Sequence, residues 1–241
     1  MTTTRETNNR TAAGPASNPE RYLRTEFLRA LAHGLRSPLT VARGALSELP
    51  NSPSEDVEFL ANMAQRSLMR ITRMAEQLDW LSELESQLTS VRPERCEART
   101  LVNEAVMTSN LGNLQLTLNV SQELPLDVDR VFMLRALSAV LDNARRFGKH
   151  EVRVSADIED DHVVLRVEDD GPGILPERRS MLFDPYISAR HRGADTDLAL
   201  GLPLAHAYVA LHGGSMELGE SPLGGLSCRM RLPRELGQEP A

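Results

Sequence analysis

The first third of the chain carries hydrophobic residues at alternating spacings of three and four. The first such row is Leu28, Leu31, Leu35, Pro38, Ala42, Ala45 and Leu49. The second row is Val57, Leu60, Ala64, Ser67, Ile71, Met74, Leu78, Leu81 and Leu88. This spacing predicts two long α-helices, separated at Pro50-Asn51. Ser52, Pro53 and Glu55 supply an N-cap, a first-turn proline and a capping glutamate for the second helix.

The second predicted helix has more apolar surface than a single hairpin can bury. Its additional row is Phe59, Met63, Leu68 and Ala75. Two hairpins that pair into a four-helix bundle would bury this row, which predicts a homodimer. The alternative is a monomer in which the hairpin packs on the C-terminal part of its own chain.

The pattern changes near Val91-Arg92-Pro93, where the helical period ends. Strands are predicted at 114–120, 152–156, 163–167 and 226–232, and helices at 98–108, 128–147 and from about 201 to Gly213-Gly214. We therefore expect an α+β fold, with an N-terminal two-helix hairpin followed by an α/β sandwich. The expected divisions are a disordered lead-in at 1–19, the hairpin at 20–90, the α/β domain at 91–235 and a tail at 236–241.

Composition and charge narrow the function classes. The 241 residues include 34 acidic and 27 basic side chains, and the net charge of −7 argues against a nucleic-acid-binding surface. Two cysteines, Cys96 and Cys228, are too few for a disulfide scaffold and are expected to be structural. The longest uncharged run, 198–216, is interrupted by Pro203 and is not expected to span a membrane. With no apolar leader in 1–18, a cytoplasmic location is expected.

Residues with candidate chemistry occur first in the α/β part. Asp169 ends a predicted strand and precedes Gly171 and Gly173, which let the backbone approach a flat ligand closely. Asp169 could accept a hydrogen bond from an exocyclic amine, although strand-to-loop turns often use these residues for structure alone. Asn143 could offer its oxygen to Mg²⁺ or lie on a solvated helix face. Arg146 lies on the same side of that helix and could reach a phosphate.

Two further positions stand out. The helix that begins near Gly201-Leu202 would direct its free N–H groups at an anion. His33 lies on the first helix, at the outward-facing position of the heptad, where a histidine is usually only a surface residue. Pro38 frees the carbonyl of Gly34 and marks the turn after His33 as strained.

The order of these motifs, from about Arg21 to Leu232, resembles the transmitter core of bacterial sensor histidine kinases. The stretches that resemble its H box, N box, first glycine box, F box and a remnant of its second glycine box are 32–40, 140–147, 167–174, 182–186 and 200–205. The resemblance implies a dimerisation and phosphoacceptor hairpin followed by a GHKL-type ATP-binding domain.

The resemblance also implies a role for each matching residue. His33 would attack the γ-phosphate of ATP, and Asn143 would hold Mg²⁺. Arg146 would touch phosphate, and Asp169 would bind the adenine amine. The other implied nucleotide-site positions are Gly171, Gly173, Phe183, Tyr186, Gly201 and Leu202, with the two aromatic residues anchoring a mobile lid.

A response regulator and an input protein are the implied partners. The phosphohistidine would pass its phosphoryl group to an aspartate of a separate receiver domain, and a separate sensory protein would supply the signal. The predicted function is therefore that of a soluble histidine kinase of a two-component system. The alternative is a catalytically degraded dimer that serves as a regulator-binding or phosphotransfer scaffold.

Five positions depart from the family pattern. Gly34 stands where an acidic residue usually follows the phosphoacceptor and is thought to assist proton removal from the imidazole. Ser37 stands where threonine is usual, which together with Gly34 predicts poor phosphatase activity. Asp197 and Ala199 stand at the first two glycines of the lid motif, and Ala139 replaces an asparagine of the N box. These changes predict ATP binding with slow autophosphorylation.

Overall fold

The computed structural model of the protein describes residues 19–85 (side chains from 25 to 82), 90–109, 111–185 and 199–234. The predicted helical hairpin is present. Helix α1 spans Pro19–Glu48 and helix α2 spans Ser54–Glu85, joined by a 3₁₀ turn at Leu49–Asn51. The predicted cap at Ser52 is wrong, because α2 begins two residues later and the Ser52 hydroxyl donates to the carbonyl of Glu48 at 2.8 Å.

Small residues hold the two helices close together. Ala45, Leu60 and Ala64 form a buried cluster between α1 and α2. The two alanines of this cluster let the helix backbones approach more closely than leucines would. The interhelical seam of the hairpin is thus built from the rows that the sequence predicts.

At the N-terminal end of α1, Phe27 is buried on the single chain, whereas Leu28 of the predicted row is 58% exposed. The row was predicted as the seam of a two-stranded or four-helix packing, which a single chain does not test. Phe27 and Met74 belong to the same buried cluster as the core of the α/β domain. Contact with that domain therefore selects Phe27 as the inward residue.

The α/β domain contains seven strands and four helices among the described residues. The strands are β1 (Glu94–Glu97), β2 (Gln115–Val120), β3 (Pro125–Val128), β4 (Glu151–Glu159), β5 (His162–Asp169), β6 (Ser215–Glu220) and β7 (Leu226–Pro233). The helices are α3 (Ala98–Ser109), α4 (Arg130–Phe147), α5 (Pro176–Arg179) and α6 (Gly201–Leu211), with a 3₁₀ turn at Ser180–Phe183.

Five strands form one mixed sheet in the order β2-β4-β5-β7-β6. Strands β2 and β4 are parallel, and the other neighbours are antiparallel. The alternate residues of β4 and β7 that point inward join α3, α4 and α6 in the core. The opposite face carries arginine–carboxylate pairs, such as Arg229 with Glu159 and Arg166 with Asp157. The predicted layering of helices on one face of a mixed sheet is confirmed.

A second sheet of two short strands was not predicted. Strands β1 and β3 pair antiparallel from Glu94↔Val128 to Glu97↔Pro125. Each has only four residues, too few for an alternating pattern to stand out from a loop.

Both cysteines are unpaired thiols, and Cys228 is buried in the core.

Helix α4 begins at a buried cap. The Asp129 carboxylate accepts from the backbone N–H groups of Val131 at 3.1 Å and Phe132 at 3.2 Å. It also accepts from the N–H of Arg92 at 3.0 Å, which ties the segment after the hairpin to the start of α4. These bonds satisfy backbone donors that a helix N-terminus otherwise leaves unpaired.

His212, at the C-terminal end of α6, is buried against the same cap. Its Nε2 accepts from the N–H of Asp129 at 2.8 Å, and its Nδ1 lies 2.7 Å from the carbonyl oxygen of Tyr208. This pattern requires the neutral ring with the proton on Nδ1. Burial lowers the pKa of His212, although the Tyr208 carbonyl and the Asp129 charge partly offset that effect.

We expect the free energy of unfolding to fall as the pH drops below about 6.5, the usual histidine pKa. The unfolded chain then takes up a proton that folded His212 resists, so its contribution is present above that pH and lost as the pH falls through the lowered pKa. One such group contributes up to about 1.4 kcal/mol per pH unit. Urea unfolding between pH 7.5 and pH 5, at about half-unit steps, measures this slope.

The control for this prediction is His212→Gln. We expect this variant to be less stable at neutral pH and to have a shallower pH slope. His206→Gln is measured alongside, because burial also lowers the pKa of His206. A His212→Gln variant with the full parental slope would contradict the prediction.

The hairpin also packs on the α/β domain. The guanidinium of Arg135 lies 4.5 Å from the centre of the Trp80 ring, and Arg73 pairs with Asp142 at 3.8 Å. Trp80 follows Arg73 on α2, whereas Arg135 precedes Asp142 on α4. The two helices therefore run antiparallel. Intramolecular packing is therefore present, yet Phe59 of the second apolar row stays 67% exposed. None of the helices in the described ranges is long and apolar enough to cross a membrane.

Candidate nucleotide-binding and phosphoacceptor sites

Asp169 lies at the end of β5 and is buried. Its Oδ1 accepts from the backbone N–H groups of Gly171 at 2.9 Å and Leu226 at 3.1 Å. Within the described ranges, Oδ2 takes no hydrogen bond. The carboxylate is thus held by one oxygen, and the other oxygen is available to an amine donor.

The environment of Asp169 acts on its charge in two directions. Burial raises the pKa of the carboxyl, and the nearby charge of Asp170 adds to that rise. The hydrogen bonds from Leu226 and Gly171 lower it, because they stabilise the ionised form. A partly desolvated carboxylate oxygen without a partner gains from a hydrogen-bond donor such as an exocyclic amine.

Two glycines leave no room for side chains beside Asp169. A Cβ at Gly171 would lie 2.6 Å from the carbonyl oxygen of Phe147. A Cβ at Gly225 would lie 2.3 Å from Asp169 Oδ1. Gly173 has φ +66°, a left-handed conformation that favours glycine. The predicted Gly171 and Gly173 therefore have a backbone role at this turn.

Sequence reasoning missed Gly225 and Leu226. Gly225 precedes β7 and Leu226 begins it, and the Leu226 N–H donates to Asp169 from the strand next to β5. The only signal was a pair of glycines between two predicted strands, which reads equally well as a hairpin turn.

The C-terminal end of α4 lies against the Asp169 turn. Asn143 and Arg146 are half-buried in the last turns of this helix, and the Arg146 guanidinium lies 5.3 Å from the centre of the Phe147 ring. The start of α6 packs one turn earlier, because a Cβ at Gly201 would lie 3.6 Å from that of Ala139. The predicted anion-facing helix start, Asn143 and Asp169 therefore belong to one region.

Leu202 and Phe183 are placed differently from one another. Leu202 is buried in the core, so only its backbone could face a ligand. Phe183 is half-buried in the 3₁₀ turn and stacks on His206 of α6, with ring centroids 4.4 Å apart. No pattern in the sequence predicts the stacking of Phe183 on His206. Tyr186 and Asp197 lie outside the described residues.

Ala199 precedes α6 and has φ +57°. This left-handed conformation is unfavourable for a residue with a Cβ. Ala199 is a position at which the resemblance expects glycine. The departure seen in the sequence thus coincides with local backbone strain.

We expect Ala199→Gly to raise the free energy of unfolding by roughly 1 kcal/mol, because glycine removes the strain at this backbone angle. Denaturant unfolding of the two proteins measures the change. The matched control is Ala210→Gly on the exposed side of α6, which we expect to lower stability by about 1 kcal/mol. Loss of stability in both variants would contradict the assignment of strain to Ala199.

His33 is exposed on α1, as predicted, and Gly34 beside it is buried. Within the described ranges, no hydrogen bond or ion pair joins His33 to the residues around Asp169. The nucleophile candidate lies on α1, whereas the nucleotide-site candidates lie in the α/β domain.

The protein side chains here do not by themselves form a complete metal-binding site among the described residues. The described part of the chain contains no group of three or more histidine, cysteine, aspartate or glutamate residues that could hold an ion. Asn143 offers a single amide oxygen, one turn of α4 from Ala139, against which the start of α6 packs. Mg²⁺ suits such a site, because it commonly arrives with substrate phosphates and waters that complete its oxygen shell.

Two family models match the chain in sequence order. The His Kinase A (phospho-acceptor) domain matches residues 23–87. The histidine kinase-, DNA gyrase B-, and HSP90-like ATPase matches residues 128–236. Together they cover more than two thirds of the chain.

Curated relatives carry names of the same kind. The sensor protein KdpD of Escherichia coli is 28% identical over 225 residues, which are 90% of this chain and 25% of KdpD. The sensor histidine kinase CpxA of Escherichia coli is 28% identical over 219 residues, which are 86% of this chain and 46% of CpxA. The chain thus spans less than half the length of both relatives.

Solved structures share the fold. Histidine kinase AdeS of Acinetobacter baumannii has a TM-score of 0.66 at 23% identity, with 84% of this chain and 98% of that chain covered. The ATP binding domain of PrrB from Mycobacterium tuberculosis has a TM-score of 0.50 at 25% identity, with 59% of this chain and 97% of that chain covered. From its phospho-acceptor hairpin, its ATPase domain and these relatives, we conclude that the chain belongs to the sensor histidine kinases.

Proposed function

We propose that the chain is the histidine kinase of a two-component system. It phosphorylates its own His33 with ATP and passes the phosphoryl group to an aspartate of a separate response regulator. The observation that carries the ATP assignment is Asp169, a buried carboxylate with one oxygen fixed by two backbone N–H groups and the other open to an amine. The similarity to the ATP binding domain of PrrB supports the same assignment.

Different residues around Asp169 contact different parts of the nucleotide. Asp169 accepts from the adenine amine, and Gly171 and Gly173 lie against the ring system. Arg146 and the N–H groups at the start of α6 contact phosphate oxygens. Asn143 would hold Mg²⁺, and the ion would neutralise charge on the transferring phosphoryl group.

His33 acts as the nucleophile. One of its ring nitrogens bonds to the γ-phosphorus while the bond from that phosphorus to the β,γ-bridging oxygen breaks. ADP leaves, and the proton displaced from the imidazole passes to solvent, because Gly34 offers no carboxylate to take it. Positioning and charge neutralisation therefore supply most of the catalysis.

A homodimer is part of the proposal. Large apolar side chains of the hairpin remain exposed on the single chain, namely Leu28, Leu39, Leu46, Phe59, Leu68 and Met69. An apolar surface of this kind on a helical hairpin fits a second copy, with which it forms a four-helix bundle. A cytoplasmic location and a separate sensory input protein stay predictions.

The test is incubation of the purified protein with γ-labelled ATP and Mg²⁺. We expect acid-labile, base-stable label on the parent and none on His33→Gln. His162→Gln is the matched control, since His162 lies at the opposite end of β5 from Asp169. Label that persists in His33→Gln would refute the assignment of the phosphoacceptor.

A second candidate function is a dimeric scaffold that has lost its chemistry. The strained Ala199 and the missing carboxylate at Gly34 favour it. Its signature is ATP binding without label on His33, combined with capture of a phosphoryl group from, or binding to, a receiver domain. That result would replace the kinase proposal.

A further inference from the structure

We propose that Asp170 is a positioning residue, which fixes the adenine end of the nucleotide site at a set distance from its phosphate end. The inference rests on the proposed function and adds a residue that contacts no reacting atom. It concerns the connection between the Asp169 turn and the end of α4.

Asp170 binds the segment that follows α4. Its Oδ1 accepts from the backbone N–H of Lys149 at 2.7 Å, and its Oδ2 accepts from that of His150 at 2.9 Å. The His150 N–H also lies 3.1 Å from Oδ1. A single carboxylate thus holds two consecutive N–H groups just beyond the helix that carries Asn143 and Arg146.

Asp169 has its own, separate attachments. Its carboxylate accepts from Gly171 and from Leu226 on β7, and takes nothing from the α4 side within the described residues. The two neighbouring aspartates therefore face different parts of the domain. Asp169 is fixed to the sheet, and Asp170 joins that fixed point to α4.

Close backbone packing leaves this junction little slack. A Cβ at Gly171 would lie 2.6 Å from the Phe147 carbonyl oxygen, and one at Gly148 would lie 3.6 Å from Asp170 Oδ1. The hydrogen bonds of Asp170 hold the two segments in this contact. Arg146 and Asn143 then stand at a fixed separation from Asp169.

Charge indicates that Asp170 is not there to stabilise the helix. A carboxylate beside a helix C-terminus is unfavourable, because that end carries the negative pole of the helix dipole. Slight desolvation raises the pKa of Asp170, but the backbone hydrogen bonds from Lys149 and His150 outweigh it and lower the pKa. The group is therefore ionised at neutral pH and serves as a strong acceptor.

A ligand that spans both ends of the site benefits from a fixed separation, whereas a ligand that occupies one end does not. Loss of Asp170 should therefore weaken ATP more than adenosine. A residue that only supported the fold would weaken both ligands to the same extent or lower the fraction of folded protein.

The experiment measures the dissociation constants of Mg-ATP and adenosine by calorimetry and ligand-observed NMR on the full chain. We expect Asp170→Ala to weaken ATP about tenfold, because it removes both charge-assisted hydrogen bonds that hold the segment after α4, and to leave adenosine within about twofold of the parent. Asp170→Asn should restore only part of the ATP affinity, because its amide oxygen can accept from Lys149 and His150 as Oδ1 does, whereas its NH₂ replaces the oxygen that faces the His150 N–H. The matched control is Asp161→Ala, an exposed aspartate in the turn at the other end of β5, which should bind both ligands like the parent.

A second variant removes the same interaction from the donor side. Lys149→Pro deletes the N–H that donates to Asp170 Oδ1, and the preceding Gly148 already has ψ 152°, which suits a following proline. We expect it to weaken ATP in preference to adenosine, even if Asp170→Ala folds poorly. Equal losses of ATP and adenosine, or no loss in either variant, would overturn the inference. A parent chain that binds neither ligand would overturn the proposed function itself.

Discussion

Asp169→Asn should lower the affinity for ATP roughly 100-fold, which corresponds to about 2.7 kcal/mol. The asparagine oxygen can still accept from Gly171 and Leu226, which at present donate to Oδ1 at 2.9 and 3.1 Å. The amide NH₂ then replaces the oxygen that accepts from the adenine amine. Two donors would face each other, and a buried donor without an acceptor costs binding energy.

The same substitution should change the base preference. Guanine carries a carbonyl oxygen where adenine carries its amine, so the amide of Asp169→Asn becomes a suitable donor. We expect the ratio of ATP affinity to GTP affinity to fall in the variant, and to fall by a larger factor than the ATP affinity does. Competition of both nucleotides against a fluorescent adenine nucleotide measures the ratio.

The matched control is Glu168→Gln, which removes one charge from the preceding residue on the opposite face of β5. Glu168 pairs with Arg153 at 3.9 Å, away from the turn. We expect ATP affinity within about threefold of the parent, because Glu168 is buried beside Arg153 on the opposite face of the strand and glutamine keeps the size of its side chain. If both variants lost ATP equally, a general effect of charge would explain the result better than a hydrogen bond to adenine.

The long helices were predictable because their information is local. Rows of apolar residues at helical spacing extend over several turns, and Ala45, Leu60 and Ala64 were correctly expected at the seam. The burial of Phe27 was not predicted, since no periodicity within α1 reports that the α/β domain packs on the hairpin. A local pattern of apolar residues therefore predicts a helix well, but it does not predict which further domain packs against that helix.

The candidate site was predictable only in part for the same reason. The motif around Asp169 is contiguous in sequence and stood out. Its fixing partner Leu226 is 57 residues away, and the partner of Asp170 is 21 residues away. Backbone N–H donors carry no side-chain signature, so their role appears only when the chain is folded.

Gly34→Glu should raise the rate of His33 labelling by about two orders of magnitude, the lower part of the range for general base catalysis. The new carboxylate would take the imidazole proton as the ring nitrogen attacks, so the change should appear in kcat and leave the KM for ATP near its parental value. Single-turnover labelling at saturating Mg-ATP measures it directly.

Two control variants separate the base from its effect on the helix. Gly34→Ala removes the cost of glycine, about 1 kcal/mol in a helix interior, and so tests whether a stiffer α1 alone raises the rate. Gly34→Gln has the size of glutamate without a charge. Because Gly34 is buried, the thermal midpoint of each variant is measured first, and rates are compared among folded proteins only. A glutamine variant as fast as the glutamate variant would show that the added side chain acts through packing, and the missing carboxylate would then not explain slow autophosphorylation.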